Sequence, residues 1–589
     1  MRDINFDTLN PHQMKAVSYT SGPSVILAGA GSGKTRVLVY KVLYLITQKK
    51  IDPKSIIMIT FTNKAAAEMK RRVDLADRGS LGFIGTFHSF CAFILRKYAG
   101  RLGYGPDFVI FDDDDQQTLL KQILKKVDAD RMTLSYAAHL ISAAKNQLIP
   151  PERFTHFFPD GKAVIVAEIY AEYQKKLKKN NAFDFDDLIM KVVELLRRDE
   201  ELCSHLQDLY SHILIDEFQD TNYAQYTLVR LLAERKKNVT VVGDFSQGIY
   251  SWRGADIRNL EKFQEDFPES EVFYLEQNYR STPDILDFAN DIISKNSGHP
   301  ILKLFTKQGK GEEIAIKELQ NEEEESLFVV SEIERLQPEY KYKDIAVLYR
   351  INAQSRSLEE ALLQYGIPYM LVGGTRFYER KEIKDILSYL RLVVNPENEV
   401  AKERIQKLGK RRWTEFVASF TQLRAEAEKK DSADIMEDIF DSTQYLSLYD
   451  TNDPDDYSRL ENIKELKSVA LSYPKLNEFL EQVALVESEY SEGEKQQKGK
   501  EGVRLMTLHQ AKGLEFSAVF LIGVEEGILP HSRSINDYHQ LEEERRLMYV
   551  GVTRAKERLY ISHARRRFMF GRRMESSPSR FIANESEEW

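Results

Sequence analysis

A chain of 589 residues is too long for one hydrophobic core, since cores stop growing at roughly 250 to 300 residues, so several domains are expected. Hydrophobic residues make up 42% and charged residues 30%, and no apolar run reaches the roughly 18 residues that cross a bilayer, which excludes an integral membrane protein. The start of the chain lacks a secretory signal and Cys91 and Cys203 cannot build a disulfide framework, so a cytoplasmic protein is expected. A net charge of −9 by itself argues against a nucleic-acid partner of the kind that binds through a basic domain.

Short β-branched or apolar runs followed by amphipathic helical stretches recur along the chain, the pattern of parallel α/β layers. Strands are expected at 24–27, 56–61, 213–215, 239–242 and 272–275, and again at 345–349, 504–507, 519–522 and 559–562. The first strand runs into Ala28, Gly29, Ala30, Gly31, Ser32, Gly33, Lys34 and Thr35, and a helical stretch follows at 37–46. That is the context of a phosphate-binding loop: small residues let backbone N–H groups curl around phosphate oxygens, and the helix N-terminus adds partial positive charge. Lys34 is expected on the β- and γ-phosphates, and the Thr35 hydroxyl on Mg²⁺. Ala28 stands where the strict pattern has Gly and demands only a negative φ.

Residues 107–182 carry helical periodicity and no strand signal, so an inserted helical subdomain is expected there. The strand at 213–215 delivers Asp216 and Glu217 to its C-terminal end, where ligands bind in open α/β sheets. Asp216 is expected to hold Mg²⁺, and Glu217 to orient and deprotonate the attacking water. An isolated Asp-Glu pair is more often a surface pair, but this one follows an apolar strand and precedes Phe218-Gln219-Asp220-Thr221-Asn222. A second helical insertion is expected at 386–500. Inside it, residues 491–502 (SEGEKQQKGKEG) hold no apolar residue and read as a mobile linker. Basic clusters at 402–412 and 565–573 stand apart from acidic runs at 112–115 and 322–325; each alone reads as a solvated surface.

In chain order, LNPHQ (9–13), AGAGSGKT (28–35), ITFTNKAAAEM (59–69), GTFHSF (85–90), DEFQDTN (216–222) and VGDFSQGIYSWRGA (242–255) mark the first half. LEQNYRST (275–282), VLYRINAQSR (347–356), VRLMTLHQAKGLEF (503–516) and EEERRLMYVGVTRAKE (542–557) mark the second. These segments resemble the motifs of the superfamily 1A DNA helicases of the UvrD, Rep and PcrA type, from Leu9 to about Phe581. The resemblance implies an α/β fold of two RecA-like P-loop NTPase lobes, parallel sheets flanked by helices, each with an inserted helical subdomain. Lobe 1A would comprise residues 1–106 and 183–279, insertion 1B 107–182, lobe 2A 280–385 and 501–581, a shortened insertion 2B 386–500, and an acidic tail 582–589. It implies ATP and Mg²⁺ as cofactors, 3′-to-5′ translocation on single-stranded DNA, and duplex unwinding in DNA repair, replication or recombination. The implied partners are single-stranded DNA and single-strand/duplex junctions, with a monomer that can dimerise on DNA.

Residue by residue, the resemblance implies that Gln13 reads the adenine edge, Tyr279 stacks on the base, and Arg36 lies near the nucleotide. Gln247 would sense the γ-phosphate and Glu515 would contact the ribose. Arg280 and Arg554 would act as arginine fingers in cis, worth about 10³ to 10⁵ in rate, which makes hydrolysis depend on closure of a cleft between the lobes.

Sequence-neutral binding of a single strand needs aromatic faces for bases, worth about 1 to 3 kcal/mol each, and hydrogen-bonding groups for phosphates. Phe61, Tyr250 and Trp252 suit the first need; Thr60, Thr62, Asn63, Thr86, His88, Arg253, Arg350, Asn352, Thr507 and His509 suit the second. Aromatics at strand ends are more often core, but the resemblance places these motif positions along the strand-binding channel. A channel of this composition needs few basic residues, which reconciles it with the acidic net charge.

Two departures from the family pattern stand out. Asp244-Phe245-Ser246 precedes Gln247, and Gly248 stands where Ser is usual. Residues 405–413 (IQKLGKRRW) replace a Pro-x-Arg-Gly-Ile-Gly turn, offering side-chain charge to duplex phosphates in place of backbone N–H groups. The alternatives are a translocase that displaces proteins without processive unwinding, a P-loop kinase or metabolic ATPase with no polymer substrate, and a scaffold that does not hydrolyse ATP. The segments around His509 and Arg554 have no use in a kinase, and the full set of nucleotide-site residues argues against the scaffold.

Overall fold

The computed structural model describes residues 5–74, 80–127, 133–159, 161–497, 501–569 and 572–583. The chain divides into two compact units, Met1–Arg280 with Asn296–Lys307, and Ser281–Lys295 with Gln308–Trp589.

In the first unit, β1 (Ser24–Ala28), β2 (Ile56–Thr60), β3 (Phe83–Thr86), β4 (His212–Ile215), β5 (Val239–Gly243) and β6 (Glu271–Leu275) form one sheet in the order β3-β2-β4-β5-β1-β6. Every pairing is parallel. The central strands are buried along their whole length, as a sheet covered on both faces requires. Alternate residues divide between the two faces. Val25, Leu27, Ile57, Ile59, Ile213, Ile215 and Val241 pack with residues of helices Phe87–Tyr98, Phe185–Arg198 and Tyr223–Ala233. Ile26, Ala28, Ile56, Met58, Leu214 and Val242 pack with helices Pro11–Ser18 and Lys34–Thr47. Because β4 lies between β2 and β5, and β5 lies beside β1, the C-terminal ends of these four strands form one continuous edge.

Helices Asp113–Val127, Leu134–Asn146 and Ala163–Lys179 share a core of their own around Ile123, Ile141, Val166, Ile169 and Tyr170. A two-residue parallel pairing of Val109–Ile110 with Ala182–Phe183 joins the chain entering this layer to the chain leaving it.

In the second unit, β7 (Ala315–Leu319), β8 (Ile345–Tyr349), β9 (Tyr369–Leu371), β10 (Val503–Thr507), β11 (Phe516–Leu521) and β12 (Ala555–Ala564) form another all-parallel sheet in the order β7-β12-β11-β8-β10-β9. Helices Glu322–Leu336 and Ser355–Gln364 pack on one face through Val329, Ile333, Leu358 and Leu362. Helices from Lys381–Val394 to Leu476–Gln497 gather around a separate core that includes Ile386, Leu390, Ile439, Leu466 and Phe479.

All nine expected strands are present, with ends differing by up to four residues. Strands β3, β7 and β9 were not anticipated. The expected linker at 491–502 is corrected: helix Leu476–Gln497 continues through most of it, because Glu, Lys and Gln are good helix formers even where no apolar face guides them. Residues 498–500 of that stretch, residues 570–571 of the basic cluster and residues 584–589 of the acidic tail lie outside the described residues. Among the described residues no helix is long and apolar enough to cross a membrane.

Candidate nucleotide and nucleic-acid sites

The loop after β1 folds as its composition requires. Gly31 and Gly33 have φ of +65° and +87°, the left-handed region that side chains with a Cβ rarely adopt. Ser32 Oγ donates to Gly29 O over 2.8 Å. Asn278, buried, donates from Nδ2 to Ala30 O (2.7 Å) and accepts at Oδ1 from Arg280 N (2.7 Å), and Tyr279 N donates to Gly31 O (3.0 Å). Residues 278–280 therefore clamp the loop from the side of β6. Sequence reading singles out Tyr279 and Arg280 but not Asn278, which precedes them in LEQNYRST.

Gln13 Nε2 donates to Ser32 O (2.9 Å), and its Oε1 accepts from Asn10 N (3.1 Å), closing a capping box on helix Pro11–Ser18. Its amide thus fastens that helix to the loop. Tyr279 is 46% exposed, and its hydroxyl accepts from Asn10 Nδ2 (2.7 Å). Arg36 turns toward the N-terminal segment, donating to Thr8 O (3.0 Å) with its guanidinium 5.5 Å from the Tyr40 ring centroid. Lys41, buried one face further along helix Lys34–Thr47, donates to Ala16 O (2.9 Å) and Tyr19 O (2.5 Å), satisfying carbonyls at the end of the helix that carries Gln13.

The acidic wall comes from β4 and β5. Asp216 N donates to Ile59 O (2.8 Å), which sets the residue just beyond the sheet edge. Burial, and then the neighbouring Glu217 charge, push the Asp216 carboxyl up to about 7. Its Oδ1 is buried without a hydrogen-bond partner among the described residues. Glu217 stands at φ +52°, and its Oε2 accepts from Gln219 Nε2 (2.6 Å). Gln219 Oε1 in turn accepts from Asp244 N (3.0 Å), so one amide spans the ends of β4 and β5. Lys34 Nζ lies 3.9 Å from Glu217 Oε2 and 3.7 Å from Asp244 Oδ2, and Asp244 Oδ2 also accepts from Gln247 Nε2 (2.5 Å). Lys34 thus lies within ion-pair distance of both Glu217 and Asp244. The orphaned Asp216 oxygen, the Glu217 and Asp244 carboxylates and the hydroxyl of Thr35, the half-buried residue after Lys34, are oxygen donors of the kind a hard divalent cation takes.

The aromatic candidates of the first unit also meet. Phe61 and Tyr250 stack at 5.8 Å between centroids with an interplanar angle of 13°. The Arg253 guanidinium lies 4.5 Å from the Trp252 ring centroid and 5.7 Å from that of Tyr250, while Trp252 is 42% exposed. Thr60 is fully buried, Thr62 caps helix Asn63–Asp74 through Ala65 N (3.1 Å), and Asn63 is exposed. Thr86 caps helix Phe87–Tyr98. Burial holds His88 below the usual imidazole range, and its ring meets Phe185 edge-on at 6.0 Å. Phe185, 46% exposed, is a further aromatic that sequence reading missed. Its signal is a ring set among aspartates in FDFDDL, where Leu188 and Ile189 already supply the core face.

In the second unit, Arg350 forms a forked pair with Glu544 (2.7 to 3.1 Å), and Asn352 Nδ2 donates to Ser458 Oγ (3.3 Å). Thr507 caps helix Leu508–Ala511, which carries His509. Arg554 is buried, donating to Val550 O (2.8 Å), Leu514 O (3.1 Å) and Thr553 Oγ1 (3.0 Å), and Glu515 is exposed and pairs with Lys556 (2.8 Å). The candidates are thus divided: Lys34, Asp216, Glu217, Gln247, Tyr279 and Arg280 belong to the first unit, and Glu515 and Arg554 to the second.

Residues 9–268 match the model of the UvrD/REP helicase N-terminal domain, and residues 273–445 and 407–566 match that of the UvrD-like helicase C-terminal domain. The chain is 43% identical to the ATP-dependent DNA helicase PcrA of Bacillus subtilis (strain 168), over 98% of this chain and 85% of that protein. PcrA proteins of Staphylococcus epidermidis and Staphylococcus aureus are 41% and 40% identical, each over 98% of this chain and 86% of theirs. With matches running through both parallel-sheet units, which are the two RecA-like lobes of this fold, the chain belongs to the UvrD/REP helicase family.

Proposed function

We propose that the chain is an ATP-dependent DNA helicase that moves 3′ to 5′ along single-stranded DNA and separates the duplex ahead of it. The observation that carries this reading is the segment 244–253. It begins at the carboxylate beside Lys34, passes Gln247, and reaches the Tyr250 ring stacked on Phe61 and the Arg253 guanidinium over Trp252. A change at the γ-phosphate therefore has only a few residues to travel before it moves a base platform.

In this reading Lys34 and the loop N–H groups hold the phosphates, and Glu217, steadied by Gln219, takes the proton of the attacking water. Thr35 and Asp216 would hold Mg²⁺, which supplies neutralisation of phosphate charge. Gln247 reports the γ-phosphate, and Arg280 and Arg554 are the cations that stabilise the transferred phosphoryl group. For Arg554 this means exchanging the Val550 and Leu514 carbonyls for phosphate oxygens. Gln13, Arg36, Tyr279 and Glu515 serve the nucleoside end. Residues 107–182 and 386–500 are assigned as the inserted subdomains 1B and 2B, and the partners as single strands and their junctions with duplex, in cytoplasmic DNA repair, replication or recombination.

The test is ATP turnover with no polymer, with single-stranded DNA and with single-stranded RNA, followed by strand separation on 3′-tailed and 5′-tailed duplexes. Strong stimulation by DNA with opening of the 3′-tailed duplex alone is expected. Turnover indifferent to DNA would sink the helicase reading, and equal opening of both duplexes would sink the polarity.

A second reading, translocation without processive unwinding, draws on residues 405–413. They form the end of helix Glu399–Lys407, a turn at Gly409 and the start of helix Lys410–Glu426. Arg411 pairs with Glu415 (2.8 Å) and Arg412 donates to Ser447 Oγ (3.2 Å), so both arginines of the segment already have internal partners. That reading predicts DNA-stimulated turnover and displacement of a bound protein with negligible strand separation by a monomer.

A further inference from the structure

Asn222 closes the segment that starts at Asp216. Its Oδ1 accepts from Gln225 N (2.9 Å) and its N donates to Gln225 Oε1 (3.1 Å), a capping box on helix Tyr223–Ala233. The remaining group, Nδ2, donates to Asn146 Oδ1 over 2.7 Å. Asn146 is the last residue of helix Leu134–Asn146, in the helical layer built from residues 107–182. Its own Nδ2 donates to Asp186 Oδ1 and to Ser142 Oγ, each at 3.3 Å.

These contacts have a direction. An ionised carboxylate only accepts, so Asp186 decides which way round the Asn146 amide sits. Asn146 must then present oxygen to Asn222, and Asn222 must present oxygen to the helix. The relay runs Gln225 N–H to Asn222, Asn222 to Asn146, and Asn146 to Asp186. Burial pushes the Asp186 carboxyl up to about 6, so the relay has this polarity above that pH. The preceding residue, Lys145, is fully buried with Nζ 2.5 Å from Asp184 Oδ2 and 3.0 Å from Asp187 Oδ1, which anchors the end of the helix that presents Asn146.

On its other side the same segment holds the loop of Trp252 and Arg253. Asp256 N donates to Thr221 O (3.0 Å), and Asn259 Nδ2 donates to Thr221 O (2.8 Å). Gly254, at φ +84°, lies so close that an added Cβ would be 3.7 Å from Asn146 Cβ and 3.9 Å from Asn222 Cβ. Thr221 and Asn222 thus join three things: the catalytic acid pair upstream, the aromatic loop, and the helical layer.

We propose that Asn146 is a positioning residue for DNA-stimulated ATP hydrolysis, tying the 107–182 layer to the Thr221–Asn222 segment so that nucleic acid held on that side is felt at Glu217. The proposal rests on the helicase reading. It is tested in the full chain near pH 8 with Asn146→Leu, which keeps the branching and heavy-atom count of the side chain and removes the amide, with Asn146→Asp, and with the exchange Asn146→Asp/Asp186→Asn. The exchange restores an acceptor for Asn222 and a donor from position 186.

Asn146→Leu is expected to leave DNA-free turnover and the KM for ATP within about twofold, while DNA-stimulated kcat falls about tenfold, the scale of coupling that single links in such networks carry. Asn146→Asp alone is expected to fall similarly, since two carboxylates then face each other, and the exchange to recover to within about twofold of the unmodified chain. Unchanged stimulation in Asn146→Leu would overturn the proposal. So would equal loss of basal and stimulated turnover with a lowered Tm, which marks a merely structural contact, or a well-folded exchange variant that fails to recover. Absence of DNA stimulation in the unmodified chain would instead remove the helicase reading itself.

Discussion

Gln219 holds Glu217: its Nε2 donates to Glu217 Oε2 over 2.6 Å while its Oε1 is pinned by Asp244 N at 3.0 Å. The base proposed for water activation is therefore oriented by an amide anchored on the next strand. Glu217→Gln is expected to lower DNA-stimulated kcat by about 10² to 10⁴ with ATP binding retained. Gln219→Ala is expected to lower kcat by about 10 to 100-fold, the usual cost of losing a supporting hydrogen bond, with KM for ATP little changed. Steady-state turnover beside equilibrium nucleotide binding distinguishes the two effects. Equal activity of Gln219→Ala and the unmodified chain would separate Gln219 from the chemistry.

A methyl group at Gly31 meets two obstacles. The residue sits at φ +65°, and a Cβ there would lie 2.6 Å from Asn278 Nδ2, the donor that holds Ala30 O. The conformational cost alone is about 1 to 2 kcal/mol. Gly31→Ala is expected to weaken nucleotide binding by about tenfold or more and, because the strain falls on the folded state, to lower the melting temperature by a few degrees. Titration with a fluorescent ATP analogue checks it.

The Phe61 and Tyr250 stack predicts a loss that is independent of base sequence. Phe61→Ala is expected to weaken single-strand affinity by about 1 to 3 kcal/mol, equally for poly-dT and mixed-sequence strands. Fluorescence anisotropy at fixed salt is the measurement. A loss confined to one sequence would point to base-edge contacts instead.

Lys41 gives stability a pH dependence of known sign. Burial lowers its ammonium from 10.5 to about 7, so between those values the unfolded chain holds a proton that the folded chain has released. The contribution of this depressed group is full above 10.5, declines through the window, and is gone as pH falls through about 7. The stability of the unmodified chain relative to Lys41→Met should therefore rise with pH across that window by up to about 1.4 kcal/mol per pH unit, and be flat below it. Denaturant unfolding of both proteins at a series of pH values tests this.

The centre of each sheet was legible from sequence because a strand buried on both faces must be apolar throughout, as Ile56 to Ile59 and Ile345 to Leu348 are. The edges were not. In β7, Ile316, Lys317 and Glu318 are all exposed, and β9 has only three residues, so neither carries the period that betrays a strand. The nucleotide loop and the Asp216–Glu217 pair were legible for the same reason as the central strands: their chemistry demands fixed residue types at fixed spacing. Asn278, Gln219 and Asn146 were not, since an amide works through whatever it happens to face, and that is decided by segments distant in sequence. Arg554 was foreseen by type, but its buried carbonyl partners depend on the packing of helix Tyr538–Val552.

Glu217 adopts φ +52° without being glycine, asparagine or aspartate. A chain selected only to persist would place Gly or Asn there, relieving about 1 kcal/mol or more of backbone strain. A Glu217→Asn protein is then expected to gain in a screen that rewards heat tolerance and ignores turnover. Engineering programmes that stabilise this scaffold by melting temperature alone would, if Glu217 is the base proposed above, drift toward inert variants at this position.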